Sequence, residues 1–406
     1  MKFDESLLYN IKSDYRGIRY SLFDLAIWKN GIAFKKIDFS DKGLPVIKIA
    51  ELNNGISSNT SFTQGDYGKE FFVQWDDLLF SWSGNPQTSI DVFRYRLPDG
   101  WLNQHIFKVT ANSELVTKDF LYYTLKYLKP YFTQIAINKQ TTGLGHVTIA
   151  DLKRMSVVIP KKEIQEQVTS ILKVIDDKIE VNSNINENLE QQAQGYFQKL
   201  FVDNADPKWT TGTISDLGTV VGGSTPSKAK PEYYTETGIA WITPKDLSIN
   251  KSKFVSHGEN DITELGLKNS SATIMPEGTV LFSSRAPIGY IAIAAGEVTT
   301  NQGFKSVVPK SEFGTPFVYF FLKNTLPLIE GMASGSTFKE VSGSTMKNVP
   351  AVIPDAETLA KFSDFCTPIF AQQCILEGQN QSLATLRDNL VPKLMSGEID
   401  VSKLDI

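Results

Sequence analysis

The chain has 406 residues, 41% of them hydrophobic and 21% charged, with 18 prolines. That composition excludes disordered and collagen-like classes, and the length leaves room for about two to four packed units. The net charge of −4 argues only weakly against an anionic partner, because the acidic excess falls in 161–200 and 357–406 while the remaining segments are close to neutral and can hold basic faces.

In chain order, the opening from Met1 to Asn10 lacks the apolar stretch of a secretory signal. A β-rich region follows, with short β-branched and aromatic runs such as residues 70–75 between Gly, Pro, Asn and Ser punctuation. The pattern then predicts a short amphipathic helix at about 119–128, a loop at Thr141-Thr142-Gly143-Leu144-Gly145, an apolar strand ending in Pro160, and a long helix over about 163–200. That helix is roughly 57 Å long at 1.5 Å per residue and carries Ile164, Val168, Ile171, Ile175, Ile185, Leu189, Tyr196 and Leu200 at 3–4 residue intervals.

The same order then recurs. Strand-like residues 278–282 precede a short helix at about 316–323, a loop at Ser334-Gly335-Ser336-Thr337, a strand ending in Pro354, and a second long helix over about 357–395 that Pro368 is expected to kink or interrupt. The longest apolar stretch, about 286–296, is too short and Gly-rich to span a bilayer, so no membrane partner is expected. Cys366 and Cys374, eight positions apart on one helix, sit too far apart for a disulfide, and a reducing, cytoplasmic setting is expected.

Residue matches establish a duplication. Val158-Ile159-Pro160 recurs as Val352-Ile353-Pro354, Val147 as Val341, Glu163 as Glu357, Leu79-Phe80-Ser81 as Leu281-Phe282-Ser283, and Asn103-Gln104 as Asn301-Gln302. The predicted fold class is α+β, a pseudo-two-fold internal duplication of two β-rich domains joined by two long antiparallel coiled-coil helices. Its boundaries are 1–160 for the first domain, 161–203 for the first spacer helix, 204–356 for the second domain, and 357–406 for the second spacer helix and tail.

Catalytic signatures are missing. Asn85-Pro86-Gln87-Thr88 lacks the second proline and aromatic of an amino-methyltransferase loop, and reads as a turn. Gly143-Leu144-Gly145 stops short of a dinucleotide fingerprint, and Gly222–Lys228 has Ser227 in place of the second glycine of a P-loop. His105, His146 and His257 have no Cys or carboxylate partner at metal spacing, so no metal site is expected.

Side chains suited to reading base edges recur at matched places. Asn103, Gln104, Asn301 and Gln302 offer amides for adenine, and Arg285 a guanidinium for guanine. Lys35, Lys36, Lys48, Lys228, Lys230, Lys245 and Lys339 lie in turn-rich segments where they can meet phosphates. Trp82, Ser83, Thr142, His146, Thr225, Ser227 and Ser336 complete the candidate set. Two similar modules roughly 50–60 Å apart suit a long ligand such as duplex DNA. A tandem-repeat interaction scaffold that binds no DNA is the alternative.

The run from Trp209 to Ser227 with its Gly222-Gly223-Ser224-Thr225-Pro226, the strand-to-helix junction from Val157 to Gln167, and the closing stretch from Leu386 to Ile399 resemble the specificity subunit of Type I restriction-modification enzymes. The first copy keeps the opening faintly, in Leu22-Phe23-Asp24-Leu25, without a Gly-Gly-Thr-Pro after it. The resemblance implies two target-recognition domains, each reading half of a split, asymmetric site in double-stranded DNA. It also implies helices that set the gap between half-sites and dock two methylation subunits, with restriction subunits completing the complex. The chain itself would then be non-catalytic and carry no cofactor, with S-adenosylmethionine, ATP and Mg on the partner subunits.

Overall fold

The computed structural model describes residues 17–140, 143–335 and 339–401. The opening from Met1 to Asn10, Thr141-Thr142 and Ser336-Thr337 lie outside them. The chain divides into two compact units, one of residues 1–177 and 383–406, the other of residues 178–382.

In the first unit an antiparallel sheet runs in the order Ala26–Asn30, Ile106–Ala111, Leu78–Ser81, Asp91–Arg94. A second sheet orders Phe62–Thr63, Leu44–Ile47, Gly100–Leu102 and Phe72–Val73, with Leu44–Ile47 parallel to Gly100–Leu102. The pair Ile18–Ser21 and Ser156–Ile159 closes the unit. The second unit repeats each part. Gly218–Gly222, Lys305–Pro309, Val280–Ser284, Ile288–Ala294 and Phe254–Val255 form one sheet. Tyr234–Thr235, Asn260–Ile262, Ile239–Ile242 and Thr299–Thr300 form another, again with one parallel pair, and Thr210–Thr213 pairs with Pro350–Ile353.

The repeated Val-Ile-Pro therefore marks a strand that pairs with the first strand of its own unit and hands over to a helix at the proline, which cannot extend the ladder. Residues 70–75 do not form the continuous strand expected. A 3-10 turn at Lys69–Phe71 leaves only Phe72–Val73 paired, because Asp76 adopts φ +72° and the chain turns there, leaving Trp75 exposed.

The helix expected near 119–128 spans Lys118–Tyr127 and is followed at once by Lys129–Asn138, with Pro130 in its first turn. Its counterpart is longer than expected, Gly314–Gly331, continuing past Pro327 to bury Ile329 beyond the expected end.

The long helices span Lys162–Gln198, with a π-helical turn after it at Lys199–Asp203, and Ala356–Met395. The second runs on through Pro368 without interruption. The proline is exposed, and Phe362, Cys366, Ile369 and Phe370 on either side are anchored in the core, which offsets the one lost backbone bond. Burial pushes the Cys366 thiol up to about 12, and both cysteines are free. No described helix is long and apolar enough to cross a membrane.

Within the first unit Asp176 pairs with Arg387 at 2.9 Å, and Val168 and Leu172 share a core with Val391 and Leu394. Within the second, Asn182 meets Asn380, Asn186 meets Gln373, and Tyr196 lies against Phe365. Partner numbers fall as helix numbers rise, so the helices run antiparallel. The seam differs from the uniform apolar stripe expected. Ile185 is 41% exposed, whereas Asn182 is fully buried, with its amide donating to Asn380 at 2.9 Å. A buried amide of this kind fixes register at some expense of stability.

Candidate nucleic-acid interface

Four backbone hydrogen bonds recur at matched positions and frame one feature in each unit. In the second unit Asn301 N–H donates to the Ile242 carbonyl (3.0 Å), Ser284 to Gly303 (2.7 Å), Val341 to Ser284 (3.0 Å) and Gly223 to Phe304 (3.4 Å). In the first, Asn103 donates to Ile47 (3.0 Å), Trp82 to His105 (3.0 Å), Val147 to Trp82 (2.8 Å) and Gly31 to Ile106 (2.9 Å). The Asn-Gln turn, the end of a central strand and the segment leading into the short helix Ile149–Arg154 or Gly343–Lys347 are thus tied together alike in both copies.

Gly31 is the residue sequence reading missed. It occupies the place of Gly223, so the first copy keeps one glycine of the pair. The reason is steric: a Cβ on Gly223 would collide with the Asn301 carbonyl, and one on Gly31 with the Asn103 carbonyl. Gly223→Ala is expected to cost the second unit about 1–3 kcal/mol, as overpacking does. Gly222→Ala, whose Cβ meets nothing nearer than Lys305 at 4.0 Å, is expected to be close to neutral. Urea unfolding of the two variants compares them directly.

In the second unit the frame opens into a cleft of about 690 Å³ lined by Thr225, Lys228, Lys245, Arg285, Asn301 and Gln302, all singled out from the sequence. Thr243, Glu259 and Asn260, which were not, also line it. The Thr225 hydroxyl donates to the Gln302 side chain, and Asn301 Oδ1 accepts from Gly303 N–H at 2.8 Å, which fixes the turn. Trp241 is 6% exposed and donates through Nε1 to the Ser224 carbonyl at 3.0 Å, so it braces the Gly-Gly-Ser-Thr-Pro loop from behind. Thr243 and Asp246 cap the short helix Pro244–Ile249 reciprocally, and Lys245 on it pairs with Glu259 at 2.5 Å, which raises the lysine pKa. Ser227 and Lys230 lie outside the cleft lining, with Lys230 3.6 Å from Glu232. Lys339 is exposed beside Glu340.

In the first unit Ser83 and His146 face each other across a two-residue antiparallel pair, beside Trp82. Trp82 stacks on Phe107 at 5.7 Å and donates to Asn30 Oδ1 at 2.8 Å. Gln104 is exposed and Asn103 half-buried. Lys35 and Lys36 are exposed, whereas Lys48 is engaged: its ammonium donates to Ser61 Oγ at 2.9 Å and lies 5.2 Å from the Phe39 ring centre. Thr142 and Ser336 lie outside the described residues.

The Asn85-Pro86-Gln87-Thr88 segment is a turn in which Asn85 Oδ1 accepts from the Gln87 and Thr88 amides. His257 does have a carboxylate neighbour, Asp261 at 3.3 Å, which four-residue spacing across an extended segment concealed. Among the described residues no three His, Cys, Asp or Glu side chains gather as metal ligands would.

Known proteins match this arrangement. A protein named the MjaIX specificity subunit of a Type I restriction enzyme, from Methanocaldococcus jannaschii, is 40% identical over 169 residues, covering 41% of this chain and 39% of that protein. The matched stretch thus spans about two fifths of that relative's length. The HindI specificity subunit of Haemophilus influenzae is 24% identical over 389 residues, 75% of this chain and 84% of that one. The crystal structure of a Type I restriction-modification S subunit from M. genitalium superposes with a TM-score of 0.54 at 17% identity, covering 95% of this chain and 97% of its own, a likeness of fold. The family described as Type I restriction modification DNA specificity domain matches twice, over residues 19–191 and 207–385, once for each copy of the repeated framework. The chain belongs to that family.

Proposed function

We propose that this chain is the sequence-reading subunit of a Type I restriction-modification complex, recognising a bipartite, asymmetric target in double-stranded DNA with one globular module per half-site. One observation carries the reading: the backbone frame around the Asn-Gln turn is the same in both units, while the side chains it presents differ. Ser83 stands where Arg285 does, and His146 where Glu340 does. A ligand with two different halves on one repeating backbone is what such a pair of surfaces fits.

The long helices dock two methylation subunits, and restriction subunits join that assembly. Exposed apolar side chains on both helices support a docking role, among them Val174 (69% exposed), Val181, Ile375 and Leu386. S-adenosylmethionine, ATP and Mg belong to those partners, and this chain supplies address and scaffold.

The test is a methylome. Cells carrying this chain and its methylation partner are expected to show adenine methylation at one split motif. Replacing residues 209–349 with the corresponding segment of a relative is expected to change one half of that motif and leave the other intact. A change in both halves, or in neither, would refute the assignment of one unit to one half-site, and absence of any motif would favour a scaffold without DNA binding.

A further inference from the structure

We infer that Glu340 is the positioning residue for Arg285, and that the place it occupies is where one common framework acquires a specificity of its own. The inference rests on the DNA-reading role above.

Arg285 follows the last residue of the central strand Val280–Ser284, and the next residue, Ala286, takes a left-handed φ of +53° that a non-glycine residue holds only when its surroundings impose it. The guanidinium reaches Glu340 Oε2 at 3.5 Å. The other carboxylate oxygen faces Lys305 Nζ at 3.7 Å, and Lys305, only 15% exposed, also donates to the Gln302 carbonyl at 3.4 Å. A chain of polar contacts thus runs from Arg285 on one wall of the cleft to the Asn-Gln turn on the other.

Glu340 is itself held on three sides. Its N–H donates to the Ser334 carbonyl (2.9 Å), its carbonyl accepts from Ser334 N–H (3.1 Å), and the following residue, Val341, donates to Ser284, directly before Arg285. The backbone that carries the carboxylate is thereby fixed beside the arginine.

An exposed ion pair at this distance contributes little to stability, so the arrangement is not explained by folding. Its chemistry suits recognition. Arginine identifies guanine by a bidentate approach to O6 and N7, which requires the guanidinium plane to be fixed before contact. A free arginine beside DNA instead swings to the nearest phosphate and binds every sequence alike. Glu340 opposes this twice, by holding one edge of the guanidinium and by placing a negative charge where a phosphate would otherwise be attracted. In the first unit the matched pair is Ser83 and His146, which lacks both the fork and the counter-charge, so the same frame offers a different base edge there.

The experiment uses the full chain assembled with its methylation partner, and competition binding against duplexes in which each base pair of the second half-site is replaced in turn. Arg285→Ala is expected to abolish discrimination at one base pair. Glu340→Gln is expected to lower discrimination at that same base pair by about tenfold while raising affinity for random duplex, and Glu340→Asp to restore most of it. The double variant is expected to discriminate no worse there than Arg285→Ala alone.

Equal change on specific and random DNA, or additive losses in the double variant, would overturn the positioning role. Glu340→Asp provides the second arm should Glu340→Gln fail to assemble: it keeps the counter-charge beside Arg285, so affinity for random duplex should stay at the wild-type level, and a rise in that affinity with loss of discrimination would overturn the proposal. A wild-type complex that discriminates no base pair would overturn the DNA-reading role, and this inference with it. Intact discrimination that Glu340→Gln leaves unmoved would overturn the inference alone.

Discussion

Glu190→Gln is expected to destabilise the second unit by about 3–5 kcal/mol, as removal of one member of a buried ion cluster does. Glu190 sits on the first long helix and receives Lys253 Nζ at 2.7 Å, Lys323 Nζ at 2.7 Å and the Tyr319 hydroxyl at 3.3 Å. Burial opposes its ionisation, but the two lysines outweigh that and hold its pKa below the ordinary range. Lys253 has a side chain only 7% exposed, donates also to Gln373 Oε1 at 2.8 Å, and lies 3.3 Å from the centre of the Phe370 ring. Glutamine keeps the shape of Glu190 and removes the charge that both ammonium groups require. Lys253→Met should cost less, about 1–2 kcal/mol, because it removes a buried charge together with its desolvation and leaves Glu190 paired with Lys323.

The pH dependence separates these effects. Burial lowers the Lys253 pKa to about 8 from 10.5, despite the attraction of Glu190. Below pH 8 the group is charged in both folded and unfolded chains, and between 8 and 10.5 the folded chain releases its proton first. The unfolded state then binds more protons, so this group makes stability rise with pH across that window. The stability gap between wild type and Lys253→Met should widen in favour of wild type from pH 8 to about pH 10, as urea midpoints measure. A gap that stays constant would show that Lys253 is not depressed.

The duplication was legible in the sequence because a repeated backbone demands repeated residues wherever sterics leave no choice. The Val-Ile-Pro junctions close both units, and the Asn-Gln turns sit on the same parallel strand pair in each. Gly31 escaped notice because its neighbours differ from those of Gly223, and only the collision each would cause with an asparagine carbonyl shows the two to be equivalent. The helix seam was less legible for a different reason. A 3–4 residue spacing of apolar side chains marks a helix but does not say which face is covered, and so Ile185, 41% exposed, and the buried Asn182 read in the wrong order. Of the candidate site, the cleft-lining residues Thr225, Lys228, Lys245, Arg285, Asn301 and Gln302 were named from the sequence. Glu340 was not, because its partner Arg285 is 55 residues away and only the fold joins them. Lys48 carries no mark of its commitment to Ser61, since a lysine in a turn-rich segment reads the same whether its ammonium faces solvent or a neighbour.

Gln165→Ala is expected to cost the first unit about 3 kcal/mol, more than its single side chain suggests. Gln165 is fully buried on the first turn of the first long helix. Its amide nitrogen donates to the Leu115 carbonyl at 3.1 Å and the Pro160 carbonyl at 2.8 Å, and its Oε1 accepts from Thr117 N–H at 2.7 Å. Thr117 is the N-cap of Lys118–Tyr127, so one side chain ties the strand-to-helix junction to the start of a neighbouring helix. Alanine leaves two carbonyls and one N–H buried without those partners, and each such group costs about 1–3 kcal/mol where water cannot reach it. The second unit solves the same junction differently, with Leu359 at the matched position, 5% exposed and packed in the apolar core. There Leu359→Ala should cost about 2–5 kcal/mol through lost burial and a cavity. Gln165→Leu separates the two mechanisms, because leucine restores most of the volume and none of the hydrogen bonds. It should remain nearly as unstable as Gln165→Ala in denaturant unfolding, and a return to wild-type stability would show that packing, not the three hydrogen bonds, holds this junction.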